Sequence, residues 1–227
     1  MLIFLFILLL LALLWWWGLR HAGADWGGPR VNWIDGWVRL LCRVVHRQGA
    51  NQLDLPKHGP AIVAANHVSG LDPLLLITAS PRPLRFLIAE EEYRKPMLNW
   101  LYRLSGCIPV DRQGRPEKAL REALRALQQG DVIALFPHGK IHLDTDPPRK
   151  LKAGVARLAM WSGAPLLPVR IDGVAGQGKV LLAPLIPGRV QISQYPALMI
   201  DGANFEAGML RLQALIETSA QQTSSAD

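Results

Sequence analysis

The sequence predicts a three-layer α/β domain, in which helices flank a largely parallel or mixed sheet, preceded by an N-terminal membrane helix. Two observations support this fold class. Residues 1–19 form an uncharged apolar run, and from about residue 51 short strand-type apolar runs alternate with helical segments. Half of the 227 residues are hydrophobic, which suffices for one full domain beside the apolar run.

The apolar run, MLIFLFILLLLALLWWWGL, is long enough for a membrane anchor over residues 1–20. At ~1.5 Å per residue it gives roughly 28 Å of helix, close to the ~30 Å hydrocarbon core of a bilayer. Trp15, Trp16 and Trp17 lie at its end, where indole rings favour the headgroup level. A cleaved signal peptide is the alternative, with a small-x-small site at residues 22–24. The length of the run, with no Lys or Arg before it, favours a retained anchor.

The residues after this run predict its orientation. Arg20, Arg30 and Arg39 all follow it, so the positive-inside rule places the rest of the chain in the cytoplasm. The expected location is therefore the cytoplasmic or inner membrane, with a single N-terminal anchor and a catalytic domain that faces the cytoplasm.

Residues 21–50 are predicted to form a basic amphipathic region at the membrane interface. Its apolar residues recur at helical spacing: Trp33, Trp37, Leu40, Leu41, Val44 and Val45. Three arginines follow each other at i, i+4 and i+8: Arg39, Arg43 and Arg47. The alternative is a helix that simply packs on the domain core.

The domain proper is predicted over residues 51–220, and the polar tail at 221–227 is expected to fray. The strand-type runs are residues 61–66, 84–90, 107–111, 131–136, 166–171 and 188–196. The helical segments, often bounded by Pro or Gly, are residues 72–80, 94–104, 116–130, 151–163 and 204–220.

Charge and cysteine content restrict the partners. The net charge is +7 with a pI near 9.8, but the basic residues are scattered and six of the eight tryptophans lie in the first 37 positions. Anionic lipid or an anionic substrate is therefore expected, and a nucleic acid is not. Cys42 and Cys107 allow no disulfide framework and no metal-ligand spacing, which fits a reducing compartment.

The strongest chemical signal lies where the strand at 61–66 ends. In an open α/β sheet, functional groups collect beyond the carboxyl ends of the strands, and His67 lies at such an end. Asp72 follows one tight turn later, which Gly70 permits. A carboxylate bonded to one imidazole nitrogen leaves the other nitrogen as a base. Alternatively, Asp72 is an ordinary N-cap before a proline and His67 is a loop histidine.

Four motifs, in their order along the chain, resemble those of the glycerolipid acyltransferase family. The best-known members of this family are the lysophosphatidic acid acyltransferases. The motifs are NHVSGLD, GCIPVDR, FPHGK and LLPVRI, within residues 55 to 200. The resemblance implies that His67 takes a proton from the acceptor hydroxyl while Asp72 orients it. The hydroxyl then attacks the thioester of acyl-CoA or acyl carrier protein, with a lysophospholipid as acceptor, no acyl-enzyme, no cofactor and no metal.

The resemblance also assigns residues outside this pair. Arg112 would bind the acceptor phosphate, as a guanidinium fork suits that group. The FPHGK loop would line the substrate site with Phe136, Pro137, His138, Gly139 and Lys140. Supporting roles would fall to Asn66, Gly70 and Pro168. The cations Lys150 and Lys152 are candidate contacts for the donor's phosphates, with plain solvated positions as the alternative.

The FPHGK loop departs from the family's usual F-P-E-G-T-R. His138 replaces Glu, Lys140 replaces Thr and Ile141 replaces Arg. Lys140 would restore positive charge, without the bidentate geometry of Arg. The departures leave two alternatives open: an acyltransferase for another lysolipid, such as an amino-acid lipid, and a non-catalytic membrane protein that binds lipid with this fold.

Other catalytic classes have weaker support in the sequence. A lipase-type hydrolase would need a G-x-S-x-G elbow, which does not surround Ser69. Thiol catalysis by Cys107 would need a histidine that the sequence does not place. His138 and His142 are four residues apart but lack the H-E-x-x-H pattern of a zinc enzyme.

Overall fold

A six-stranded mixed sheet forms the centre of the domain in the computed structural model, which describes residues 1–112, 114 and 116–218. The strands are β1 Ala61–Ala65, β2 Leu84–Ala89, β3 Ile108–Val110, β4 Val132–Leu135, β5 Leu166–Asp172 and β6 Gln191–Gln194. Their spatial order is β3-β2-β4-β1-β5-β6, and only the β5–β6 pair among these neighbours is antiparallel. The predicted fold class is confirmed. The predicted frayed tail at 221–227 lies outside the described residues.

Helices cover both faces of the sheet. They are α1 Leu2–His21, α2 Pro29–Val44, α3 Asp72–Ala79, α4 Glu90–Tyr93, α5 Pro96–Leu104, α6 Pro116–Gln128, α7 Gly154–Ser162 and α8 Phe205–Glu217. A 3₁₀ turn, Ala183–Leu185, precedes β6. Glu90, predicted as the end of a strand, instead begins the short helix α4.

Strand β1 is completely buried because it lies at the centre of the sheet. Its side chains alternate between two cores, as the two-residue period of a strand requires. Val63 joins the core under α2 and α3, and Ile62 joins the core under α6, α7 and α8. This packing fixes the direction in which the chain leaves β1, and therefore the position of His67.

The N-terminal helix α1 packs on α2 at two glycines. A methyl group on Gly36 would collide with the carbonyl group of Gly18, so the two backbones touch at this crossing. The Trp37 indole Nε1 donates to the Leu14 carbonyl oxygen at 3.0 Å. Otherwise α1 is largely exposed and has a mean hydropathy of 2.6, so by length and composition it could cross a membrane.

Helix α2 corrects part of the predicted interfacial face. Arg39 is 1% exposed rather than directed at a membrane surface. Its guanidinium pairs with Asp35 at 2.8 Å and donates to the carbonyl oxygens of Thr78 and Ser80. A buried guanidinium requires partners for its charge and for its N–H donors, and these contacts provide them. Arg39 therefore links α2 to the C-terminal end of α3. This agrees with the alternative prediction, in which the helix packs on the domain core. Arg43 and Arg47 remain exposed.

Candidate active site

The carboxyl ends of two adjacent parallel strands bring His67 and Phe136 together. Strands β1 and β4 pair in register, so the residues that follow them leave the sheet side by side. The rings of His67 and Phe136 stack with centroids 4.1 Å apart and an interplanar angle of 15°. The His142 N–H donates to the His67 carbonyl oxygen at 2.7 Å. An aromatic ring thus covers one face of the imidazole, and the backbone of His67 is bonded to that of His142.

His67 and Asp72 form a hydrogen-bonded dyad. The His67 Nδ1 lies 2.8 Å from Asp72 Oδ2, and the carboxylate is fully buried whereas the imidazole is 18% exposed. An ionised carboxylate only accepts, so Nδ1 carries the proton and Nε2 keeps its lone pair. This is the tautomer that a general base requires.

The Asp72 carboxylate is also held by the turn between the two residues. Its Oδ2 accepts from the backbone N–H groups of Val68 at 2.6 Å and Ser69 at 2.9 Å, and its Oδ1 accepts from Ser69 Oγ at 2.8 Å. These bonds compensate for the burial of a charged group. They also restrain the turn so that the carboxylate cannot move away from the imidazole.

The alternative role of Asp72 as an N-cap is wrong. Asp72 is the first residue of α3, Leu71 is the cap residue, and no side chain caps the helix. The carboxylate bonds to residues that precede the helix rather than to N–H groups inside it. Its position is therefore explained by the turn and by His67 and not by the start of α3.

The supporting residues lie around this turn. The Asn66 amide donates to the Ile171 carbonyl oxygen at 2.9 Å and accepts from its N–H at 2.7 Å, which ties the exit of β1 to β5. Gly70 packs directly against the carbonyl group of Val180. Pro168 lies inside β5 opposite Ala64, so it contributes to the sheet below the dyad.

The FPHGK loop divides between the dyad and the C-terminal helix. Phe136 covers His67, whereas the His138 side chain is 1% exposed and its Nε2 lies 3.0 Å from Glu217 Oε1 in α8. Burial lowers the pKa of His138, although the bond to Glu217 opposes this shift. The assignment of His138 to substrate binding stays a prediction, and its burial favours a role in holding α8.

The rest of the loop runs from a buried proline to an exposed lysine. Pro137 is buried, and its carbonyl oxygen accepts from the Lys152 N–H at 2.9 Å. Gly139 has a φ of +75°, and the Lys152 side chain passes directly over it. Lys140 is exposed, as are Lys150 and Lys152. The loop therefore offers cations to an anionic ligand at its outer edge.

One group of side chains could be considered for a metal. His138, His142 and Glu217 offer donor atoms within 4.8 Å of one another. However, the two imidazoles stack with centroids 4.5 Å apart and only 24° between their planes. Nitrogen lone pairs lie in the ring planes, so two nearly parallel rings do not aim at one ion. Glu217 also accepts from Gln213 at 3.0 Å. This geometry favours a hydrogen-bonded cluster.

Arg112 lies apart from the dyad, beyond the edge strand β3. Strands are spaced by roughly 4.8 Å, so the third strand from β1 puts its exit about 14 Å from that of β1. The Arg112 side chain is 38% exposed and lies 3.6 Å from Glu91 Oε1. A headgroup held by Arg112 would therefore extend along the sheet edge, away from His67.

Sequence reasoning missed two residues that shape the site. The sequence motifs indicate Ser69 only as a candidate nucleophile, yet its hydroxyl and N–H both donate to Asp72. Its position three residues before the carboxylate was the available signal. Glu217 gave no local signal, because its contact with His138 joins residues 79 positions apart.

Comparisons with known proteins concern the family and the fold. The acyltransferase family model covers residues 46–172, more than half of the chain. The N-acylphosphatidylethanolamine synthase of Arabidopsis thaliana is 34% identical over 124 residues, 50% of this chain and 43% of that protein. A probable 1-acyl-sn-glycerol-3-phosphate acyltransferase of Mycoplasma genitalium is 36% identical over 134 residues, 56% of this chain and 49% of that protein.

The chain spans about half the length of these curated relatives. Among solved structures, the 1-acyl-sn-glycerophosphate acyltransferase of Thermotoga maritima matches with a TM-score of 0.68. This match covers 85% of the present chain and 80% of the other at 21% identity. At that identity the similarity concerns the fold.

Proposed function

The chain belongs to the acyltransferase family, and on that premise we propose that it transfers a fatty acyl group from a thioester donor to the hydroxyl of a lysophospholipid, with lysophosphatidate as the acceptor. The observation that carries the proposal is the His67/Asp72 dyad, whose Nδ1 is bonded to a buried carboxylate while Nε2 stays available. The donor is acyl-CoA or acyl carrier protein, and the reaction uses no metal or cofactor.

The proposed reaction proceeds by direct transfer. His67 Nε2 takes the proton of the acceptor hydroxyl as its oxygen attacks the thioester carbonyl carbon. The resulting imidazolium is stabilised by Asp72. Collapse of the tetrahedral intermediate breaks the carbon–sulfur bond, and the imidazolium returns its proton to the departing thiolate. The products are the ester and the free thiol of the donor, and His67 regains its starting tautomer.

The proposal includes attachment to a membrane through α1. Arg20 and the exposed Arg43 and Arg47 follow the helix, which favours a cytoplasmic domain in a cytoplasmic or inner membrane. The Gly23 N–H donates to Asp35 at 2.7 Å, so the segment that a signal-peptide cleavage would cut is part of the folded domain. This contact supports a retained anchor.

A second candidate is an acyltransferase for another lysolipid. In the FPHGK loop, Lys140 lies at the exposed end, where the family usually has threonine. The His138 side chain is buried and bonded to Glu217. One relative is by name a synthase of N-acylphosphatidylethanolamine, so named acceptors differ among similar proteins. A non-catalytic lipid-binding role is opposed by the orientation of His67 by Asp72, because lipid binding alone does not require an oriented base.

The test is acyl transfer by the detergent-solubilised full chain from labelled acyl-CoA, and separately from acyl carrier protein, to a panel of lysolipids. We expect His67→Ala to lower the rate by roughly 10²–10⁴-fold, the usual contribution of a general base. His58→Ala, which changes an exposed histidine ahead of β1, is the matched control and should keep full activity.

Each outcome separates the candidates. Transfer to lysophosphatidate that depends on His67 would support the leading proposal. Transfer only to acceptors without a terminal phosphomonoester would support the second candidate. Near-normal turnover in His67→Ala would refute the mechanism, and no transfer from either donor would favour the non-catalytic alternative.

A further inference from the structure

A loop beside the dyad exposes four aliphatic side chains to solvent. We call residues 179–185 the apolar loop. Val180, Leu181, Leu182 and Leu185 are 51%, 73%, 59% and 72% exposed. Single exposed apolar side chains are common on proteins, but a contiguous group of them marks an interaction surface.

The apolar loop is fixed against the turn that carries the dyad. The Gly70 N–H donates to the Lys179 carbonyl oxygen at 2.9 Å, and the Gly178 N–H donates to the Val68 carbonyl oxygen at 2.8 Å. At its other end the loop is held by Ala183, which is fully buried. The exposed side chains therefore stand at the rim of the turn between His67 and Asp72.

The same loop continues into the surface next to the N-terminal helices. The His46 Nε2 donates to the Pro184 carbonyl oxygen at 3.0 Å, and the Val190 N–H donates to the His46 carbonyl oxygen at 2.9 Å. Val44, at the end of α2, is 72% exposed beside this junction. The loop is thus joined to α2, which packs on the apolar helix α1.

The two segments that form this surface carry charge of a single sign. Their exposed cations are Arg43, Arg47, Lys179 and Arg189. Residues 39–50 and 173–190 contain no Asp or Glu. Aliphatic side chains that share two segments with exposed cations and with no acidic residue match the boundary between the acyl chains and the headgroups of an anionic bilayer.

We propose that the apolar loop inserts into an anionic lipid surface and is a second membrane contact besides α1. Leu181, Leu182 and Leu185 enter the headgroup boundary, and the surrounding cations contact lipid phosphates. The rim of the dyad then lies at the membrane plane, where a lysolipid can present its hydroxyl while its acyl chain stays in the bilayer. The inference rests on the proposed membrane attachment for the continuity with α1, and on the proposed acyl transfer for the approach of a lysolipid to the dyad.

The test places an environment-sensitive fluorophore on single introduced cysteines in the full chain. Leu182→Cys reports the apolar loop, Phe6→Cys reports α1, and Leu210→Cys is the matched control on α8, where the native leucine is 70% exposed. The native Cys42 and Cys107 are free and buried and should not be labelled. The labelled proteins are reconstituted into phosphatidylcholine vesicles with and without phosphatidylglycerol, and quenching by spin-labelled lipid is compared.

We expect a blue shift and lipid-borne quenching at positions 182 and 6, with neither at 210, and a larger effect at 182 when phosphatidylglycerol is present. If the label at position 6 is quenched but the label at position 182 is as exposed to solvent as the label at position 210, the loop proposal is overturned and the proposed anchor stands. The absence of quenching at both 6 and 182 would overturn the attachment itself. A label at 182 that is blue-shifted in vesicles but is not quenched by spin-labelled lipid would indicate coverage by a second copy and would also overturn the proposal.

Discussion

Asp72→Asn tests the dyad with the smallest change of shape. The carboxylate accepts from His67 Nδ1, from two backbone N–H groups and from the Ser69 hydroxyl. A hydrogen bond to a charged group contributes ~1.5–3 kcal/mol and a neutral one ~0.5–1.5, so each bond weakens by about 1 kcal/mol. The lower desolvation cost of an amide offsets part of this loss. The free energy of unfolding should therefore fall by only about 1–3 kcal/mol, and the chain should still fold.

The catalytic effect of the same substitution should be much larger. The amide oxygen would occupy the Oδ2 position, where His67 Nδ1 and two backbone N–H groups donate, and its N–H₂ would face the Ser69 hydroxyl. The imidazole would keep its orientation, but the imidazolium that forms during transfer would lose its counter-charge. We expect kcat to fall by roughly 10²–10⁴-fold. The assay is acyl transfer from labelled acyl-CoA at saturating acceptor, beside a thermal unfolding measurement on the same preparation.

Ser69→Ala is the matched control because it removes a bond to the same carboxylate and leaves the His67 contact intact. Its stability should fall by about 1–2 kcal/mol, similar to Asp72→Asn, while its kcat stays within roughly tenfold of the parent. If Asp72→Asn keeps a kcat within tenfold of the parent, or if both variants lose activity equally, the carboxylate does not act through the imidazole and the reasoning is refuted.

Three further predictions concern residues around the dyad. Arg112→Ala should raise the KM for a phosphate-bearing acceptor about tenfold or more with the donor KM unchanged, as loss of a charge-assisted bond predicts; equal changes in both KM values would contradict this. Gly70→Ala should lower the free energy of unfolding by about 1–3 kcal/mol, because the added methyl group would collide with the Val180 carbonyl group. Gly49→Ala is the control and should leave the free energy of unfolding unchanged, because nothing lies near its added methyl group. A loss of stability in both variants would contradict this. Because burial lowers the pKa of His138, its contribution to stability is complete above the unfolded pKa of about 6.5 and is lost as pH falls. Thermal unfolding of His138→Gln should thus depend less on acid pH than the parent, and an unchanged pH profile would contradict this.

The order of elements could be predicted from the sequence because each depends on local patterns. All six strands and the membrane-length helix were predicted, since strand-type runs and proline or glycine boundaries are local signals. The ordered motifs also predicted the acyltransferase family, and the family match confirms this. His67 and Asp72 could be paired because one turn joins them.

Long-range contacts of charged side chains could not be predicted in the same way. Arg39 fitted a basic stripe by its spacing, yet it is buried against the end of α3, some 40 residues further along the chain. His138 fitted a substrate loop, yet its partner Glu217 lies in the last described helix. Helical periodicity gives the direction of a side chain relative to its own helix axis, and it does not say which element will cover that face.

The glycine contact between α1 and α2 has a mechanical consequence. Because Gly18 and Gly36 are in backbone contact, no layer of side chains lies between α1 and α2 at the crossing that could rearrange when the helix angle changes. A bilayer thinner or thicker than the apolar length of α1 is accommodated by helix tilt. If α1 spans the membrane as proposed, such a tilt would be transmitted through the crossing to the turn between His67 and Asp72, so the thickness of the membrane would set the depth of His67.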